Sequence, residues 1–268
     1  MKEFVKLLIP PLLVILIRKL QRNKNGWRGD YANWEDAQND ARGYDSDVII
    51  QEVKKSLLKV KNGDAIYERD SVVFEEIQYS WQLLAGLMFG VALPVASGRV
   101  KVLDFGGSLG STYYQNKKFL DKFRDVSWSI VEQKHFVDVG KKHFEDERLK
   151  FFNTVEECLD KENPSILILS SVLQYIEEPF KLLDVLFESG FQTILIDRTP
   201  FSKGREKITL QTIPSSIYEA SYPCWFFDEA KFITYVERKN YSIVESFMTA
   251  EGENKEYIFK GFILKNNV

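Results

Sequence analysis

The chain has 268 residues, 44% hydrophobic and 28% charged, a globular composition that excludes intrinsic disorder and is long enough to bury a full core. Its net charge of −3 gives no global electrostatic case for nucleic acid, so no nucleic-acid partner is expected. Cys158 and Cys224 are too few for a disulfide framework or a zinc cluster. They fit a reducing, cytoplasmic compartment, and no metal-ligand spacing appears.

Phe4 to Ile17 is apolar apart from Lys6 and is flanked by Lys2, Arg18, Lys19, Arg22 and Lys24. A spanning helix needs about 20 apolar residues, and Pro10-Pro11 interrupts this shorter run. Residues 1–24 therefore read as an interfacial segment. Residues 4–17 sink into the lipid boundary and the basic residues meet anionic head groups, a peripheral contact at the inner membrane face.

Residues 25–98 read as an aromatic loop followed by a helical cap. Gly26 to Trp34 and Gly43-Tyr44 alternate glycines and aromatics without a regular period, which predicts a structured loop. Asp45 or Ser46 caps a helix carrying Ile49, Val53, Leu57 and Val60 on one stripe, and Gly63 ends it. A second helix is expected over about 71–93, with Val73, Ile77, Trp81, Leu84, Met88 and Val91 inward and Asp70 or Ser71 as its cap. Gly86 and Gly90, one turn apart, permit close packing.

From residue 99 to 268 short apolar runs alternate with helical stretches, which predicts βαβ units and a parallel sheet. Strands are expected at 100–105, 128–132, 149–153, 165–170 and 193–197. Helices are expected at 111–123, 134–146, from Pro179, and at 228–239. Residues 198–226 read as a long lid-like insertion, and 242–248 with 257–264 as a terminal hairpin. The fold class is thus α/β, a Rossmann-like class I methyltransferase sheet with a terminal antiparallel hairpin and a helical N-terminal extension.

Val100 to Phe105 runs into Asp104-Phe105-Gly106-Gly107-Ser108-Leu109-Gly110 and then a helix. Small residues let a ligand approach the backbone, the helix start offers free amides, and Asp104 orders the turn. About 28 residues later Glu132 ends the next strand, where a carboxylate binds ribose hydroxyls, with Gln133 beside it. Against Gly-x-Gly-x-x-Gly for dinucleotides, Ser108 and Ser111 fail two of three positions. Asp-x-Gly-x-Gly-x-Gly fits better, with only Ser108 replacing a glycine. S-adenosylmethionine, with S-adenosylhomocysteine as product, is the expected cofactor.

Longer words extend the match from Gly26 onward: Tyr67 to Phe74, Val102 to Ser111, Val131-Glu132-Gln133, Ser170 to Ile176, Asp197 to Phe201, and Ala220 to Trp225. With these the chain resembles a family of methyltransferases associated with bacterial surface-polysaccharide (O-antigen or capsule) biosynthesis. The resemblance implies methyl transfer in the cytoplasm to glycan precursors, with a small-molecule or lipid-linked glycan acceptor, and fixes no particular acceptor.

Beyond the strand ends, Ser171 and Gln174 are assigned to the cofactor, although Gln174 and Tyr175 also reach the acceptor. Arg198 suits an anionic acceptor through its planar fork, or else serves a structural ion pair. Gln211, Tyr218, Tyr222 and Trp225 in the insertion, together with Arg69, are assigned to the acceptor. Glu68 and Asp70 are expected to close over the cofactor or simply to start a helix. Tyr175, Asp197, Asp70 and Glu68 remain open as bases, since an activated sulfonium needs only alignment and removal of one proton. Two other readings stay open: a non-catalytic scaffold that binds the cofactor, and a nicotinamide-dependent sugar enzyme.

Overall fold

The computed structural model describes residues 26–41, 46–94, 96–213 and 220–267. The apolar and basic segment at 1–24 and Tyr218 lie outside them. The chain divides into two compact units, one of residues through 45 with 208–224, the other of 46–207 with 225–268, so no unit boundary falls at residue 98.

In the smaller unit, the expected loop is a strand, β1 (Gly26–Tyr31), and a short helix, α1 (Trp34–Asp40). Asn33 caps that helix by accepting the Asp36 amide at 2.8 Å. β1 pairs antiparallel with the later segment Lys207–Thr212, Trp27 lying opposite Gln211.

The larger unit begins with α2 (Ser46–Asn62), which buries Ile49, Val53 and Leu57 of the expected stripe together with Ile50, while Val60 is half-buried. The helix expected over 71–93 is corrected in its first half. Tyr67–Arg69 (β2) and Val72–Phe74 (β3) form a hairpin, and only Trp81–Ala92 (α3) is helical. Asp70 and Ser71 are therefore not caps but the two turn residues, both left-handed at φ 52° and 69°. Ser80 caps α3 instead, and Trp81, expected inward, is 59% exposed. Leu84 and Val91 are buried as expected. A side chain at Gly86 would meet Leu195 at 2.5 Å and one at Gly90 would meet Ile166 at 2.8 Å, so both glycines bring α3 close to the sheet.

The sheet follows as β4 (Val100–Phe105), α4 (Ser111–Leu120), β5 (Val126–Val131), α5 (Lys134–His143) and β6 (Leu149–Phe152). Then come α6 (Val155–Glu162), β7 (Ile166–Ser170), α7 (Pro179–Glu188) and β8 (Thr193–Ser202). The chain closes with β9 (Lys207–Thr212), β10 (Ser221–Asp228), α8 (Glu229–Glu237), β11 (Tyr241–Glu253) and β12 (Tyr257–Asn266). Helix α6 escaped the sequence reading; it is eight residues long, capped by Thr154. The stretch 198–226, read as an insertion, is largely strand: the end of β8, then β9 and β10.

β4 lies between β5 and β7, β5 pairs with β6 and β7 with β8, all parallel. β12 then pairs antiparallel with β8, and β11 pairs with β12 outside it. The order is β6-β5-β4-β7-β8-β12-β11, with the last strand inserted before its predecessor. That is the Rossmann-like class I methyltransferase sheet. Leu103, Leu167, Leu169, Ile194, Ile196 and Phe262 fill its buried core.

Candidate functional site

Strand order reverses at β4, so the connections that leave β4 and its other neighbour β7 run to opposite sides there, the place where open α/β sheets bind ligands. The turn after β4 is built from left-handed residues: Gly106 at φ 70°, Ser108 at 55° and Gly110 at 107°. Ser108, which replaces a motif glycine, adopts the glycine-like conformation all the same. Gly110 starts α4 with no side-chain cap. The amides of its first turn are left for another acceptor.

Two carboxylates hold the turn from below. Asp104 is buried and accepts from the Trp128 indole N–H at 3.1 Å. A Cβ at Gly107 would lie 2.6 Å from the Asp104 carboxyl carbon, so glycine there lets the loop rest on the acid. Burial pushes Asp104 up to about 7; the indole hydrogen bond opposes this and the Glu132 charge adds to it. Glu132, at the end of β5, accepts the Ser108 amide at 3.3 Å on one oxygen and the Gln133 amide at 2.8 Å on the other. Each oxygen keeps a lone pair for a ribose hydroxyl. The turn of Phe105, Gly106, Gly107, Ser108 and Gly110, the uncapped helix start and Glu132 offer backbone amides and carboxylate oxygens that a nucleoside cofactor can use.

The β2–β3 hairpin reaches the same loop. Glu68 is buried and accepts from the Ser111 hydroxyl at 2.5 Å and the Ser71 amide at 2.7 Å. Burial raises it to about 6 against those two hydrogen bonds. Glu68 thereby ties the hairpin to the first residue of α4. At the hairpin tip, Asp70 accepts from Arg198 at 2.7 Å. Arg198 also donates through Nε to Glu251 on β11 at 2.9 Å, and Arg69 stands 4.0 Å from the same carboxylate. Arg198 is thus held by two carboxylates, neither of them the adjacent Asp197.

Asp197 and Arg198 owe their placement to an irregularity. Thr199 lies opposite Lys260 and Ile196 opposite Phe262, so β8 spends two residues where β12 spends one, and Arg198 takes φ 55°. Such a bulge re-aims side chains at a sheet rim. Asp197 is buried there and accepts from Ser170 at 3.4 Å, while its carbonyl takes the Ser171 amide at 2.9 Å. Burial raises its acid to about 6, which the Arg198 charge counters. Gln174 lies in the short turn after β7 and donates to Ser171 at 3.1 Å and to the Arg198 carbonyl at 3.2 Å. Tyr175, in that same turn, is half-buried.

The structure therefore gathers Glu68, Asp70, Arg69, Ser171, Gln174, Asp197 and Arg198 into one linked set. Trp225 donates to the carbonyls of Ile176 and Glu177 at 3.1 and 3.3 Å, just past the β7 turn. Gln211 and Tyr222 belong to the smaller unit. Sequence reasoning missed Ser111, Trp128, Ser170 and Glu251. Only Ser111, directly after the glycine motif, carried a local signal.

No family model and no curated protein matches the chain. Solved structures similar to it include the N-terminal domain of EvdMO1 with S-adenosylhomocysteine and D-fucose, at 14% identity and TM-score 0.48, covering 84% of this chain and 100% of that one. Magnesium protoporphyrin IX methyltransferase from Synechocystis, with bound S-adenosylmethionine, follows at 13% identity and TM-score 0.44, covering 69% and 78%. A Burkholderia thailandensis 1,6-didemethyltoxoflavin-N1-methyltransferase is similar at 14% identity and TM-score 0.42, covering 84% and 91%. At such identities and scores the likeness carries no function across. The strand order and the rim residues carry the functional reading.

Proposed function

We propose that the chain is an S-adenosylmethionine-dependent methyltransferase, with the cofactor seated on the loop Asp104 to Gly110 and its ribose on Glu132. The observation that carries this reading is the cradle at the carboxyl end of β4, where the strand order reverses. Left-handed Gly106, Ser108 and Gly110 open the backbone there, and Glu132 grips the Ser108 amide beside it. When bound, the cofactor supplies an activated methyl group on a sulfonium. The chain's own residues then need only align an acceptor and remove its proton. Asp197, Gln174 and Tyr175 flank that position, and Glu68 and Asp70 hold the hairpin against the loop.

The acceptor is a small or glycan-linked oxygen or nitrogen nucleophile, consistent with the family resemblance to surface-polysaccharide methyltransferases. The apolar residues 4–17, with the basic residues that flank them, add a peripheral contact with the inner membrane face. Among the described residues no helix is long and apolar enough to cross a membrane.

Calorimetric titration with S-adenosylmethionine, S-adenosylhomocysteine and NAD tests the cofactor. The first two are expected to bind and NAD to fail. Glu132→Ala is expected to weaken binding by roughly 10- to 100-fold, the worth of a hydrogen bond to a charged group of about 1.5–3 kcal/mol. Binding of NAD alone would replace this reading with the nicotinamide one, and tight cofactor binding without turnover on any acceptor would favour a scaffold.

A further inference from the structure

Asp197, at the bulge in β8, and Gln174, in the turn after β7, are deeply buried polar side chains, 2% and 1% exposed. Each has an oxygen with no hydrogen-bond partner, Oδ1 of Asp197 and Oε1 of Gln174. The Gln174 amide cannot be turned to relieve this. Its nitrogen donates to the Arg198 carbonyl, which only accepts, so the oxygen must be the free end. Buried acceptors in folded proteins almost always find a donor.

The two groups are joined. The Ser171 amide donates to the Asp197 carbonyl, and the Ser171 hydroxyl accepts from Gln174. They also border the cofactor loop: a Cβ at Gly106 would lie 2.5 Å from Val172, in the turn between Ser171 and Gln174. The Arg198 guanidinium donates to Asp70 and Glu251 and reaches Asp197 only through its charge and its backbone amide. Around this point Asp70, Glu251, Glu68 and Asp197 outnumber Arg198 and Arg69.

We infer that Asp197 Oδ1 and Gln174 Oε1 form the acceptor subsite, and that the acceptor presents a hydrogen-bond donor there, a hydroxyl or an amine, rather than an anion. This rests on the methyltransferase reading and narrows its substrate class. The acceptor's oxygen or nitrogen bonds to the methyl carbon, the carbon–sulfur bond breaks with its electron pair going to sulfur, and the acceptor's proton passes to the Asp197 carboxylate. Asp197 is thereby selected from the four candidate bases, and Gln174 moves from the cofactor to the acceptor.

The test uses the full chain saturated with S-adenosylhomocysteine and three hexose probes: glucosamine, glucose and glucuronate. The melting temperature is expected to rise with glucosamine, less with glucose, and not with glucuronate. Asp197→Asn is expected to abolish the glucosamine response while changing S-adenosylhomocysteine affinity less than about twofold, since that affinity belongs to Glu132 and the glycine loop. Without ligands, Asp197→Asn is expected to melt no lower than the parent, and to gain about 2–4 °C if removing the buried charge is worth a unit step in stability. A response to glucuronate alone, or to none of the probes, overturns the inference. So does Asp197→Asn that keeps the glucosamine response, melts lower or fails to fold, because the carboxylate would then serve the fold. Failure of S-adenosylhomocysteine to bind the parent chain is read separately and strikes the cofactor assignment instead.

Discussion

Asp104 shows how one buried side chain sets both loop geometry and pH response. Its acid rises from 3.8 to about 7 mainly because burial disfavours the charged form. The folded state therefore holds a proton that the unfolded chain releases. The stabilising contribution is complete below about pH 4, fades as the pH climbs, and is gone above about pH 7. Glu68, raised to about 6, acts with the same sign. Melting curves of the parent and of Asp104→Asn are expected to diverge between about pH 4 and about pH 7, the parent losing stability relative to the variant. Parallel curves would mean that Asp104 does not change its charge on folding. The aspartate, its strand and its glycine turn were all readable from Val100 to Gly110. The indole that holds the acid was not, since Trp128 lies on the neighbouring strand 24 residues away.

Among the elements, the β2–β3 hairpin departs most from the sequence reading. Val73, Ile77 and Trp81 continue the helical spacing of α3, but two left-handed residues at Asp70-Ser71 reverse the chain first, without the glycine or asparagine that usually marks such a turn. Glu68 makes the turn affordable by accepting the Ser71 amide. Arg198 then fastens the tip, and its two partners differ in exposure: the Asp70 side chain is 63% exposed and that of Glu251 22%. Exposed pairs contribute about 0–1 kcal/mol and more as water is excluded, so Glu251→Gln is expected to lower the urea midpoint by slightly more than Asp70→Asn. The reverse order would place the stability of the tip in the hairpin contact. Helix α3 offers a second check. Alanine at Gly86 would press on Leu195 at 2.5 Å and Ile263 at 3.1 Å, and is expected to cost about 1–3 kcal/mol by overpacking, read from urea unfolding. A neutral Gly86→Ala would mean that α3 shifts freely over β8 and β12.

For the whole molecule, the open matter is where the chain works. We propose that the basic residues around 4–17 meet a membrane surface. Removing residues 1–24 is expected to move the protein from the membrane pellet to the supernatant in a co-sedimentation assay with vesicles containing about 30% anionic lipid, with high salt weakening binding by the intact chain. Unchanged partition would assign that segment to another role. The two compact units also cut across the sequence-based divisions, because residues 208–224 cluster with the N-terminal β1 and not with the strands beside them in the chain.

By itself the sequence determined the alternation of strands and helices after residue 99, the glycine turn, the acid at the end of β5 and the closing hairpin. These depend on local periodicity, on left-handed turn positions and on spacing along one strand–turn–helix unit, all of which are written in neighbouring residues. Only the tertiary structure decided that a bulge turns Asp197 and Arg198 at the rim and that Asp70 and Glu251 claim Arg198. Those partners are 128 and 53 residues from it in the chain. Which carboxylate meets a given cation is settled by strand order and register, and no window of sequence contains both.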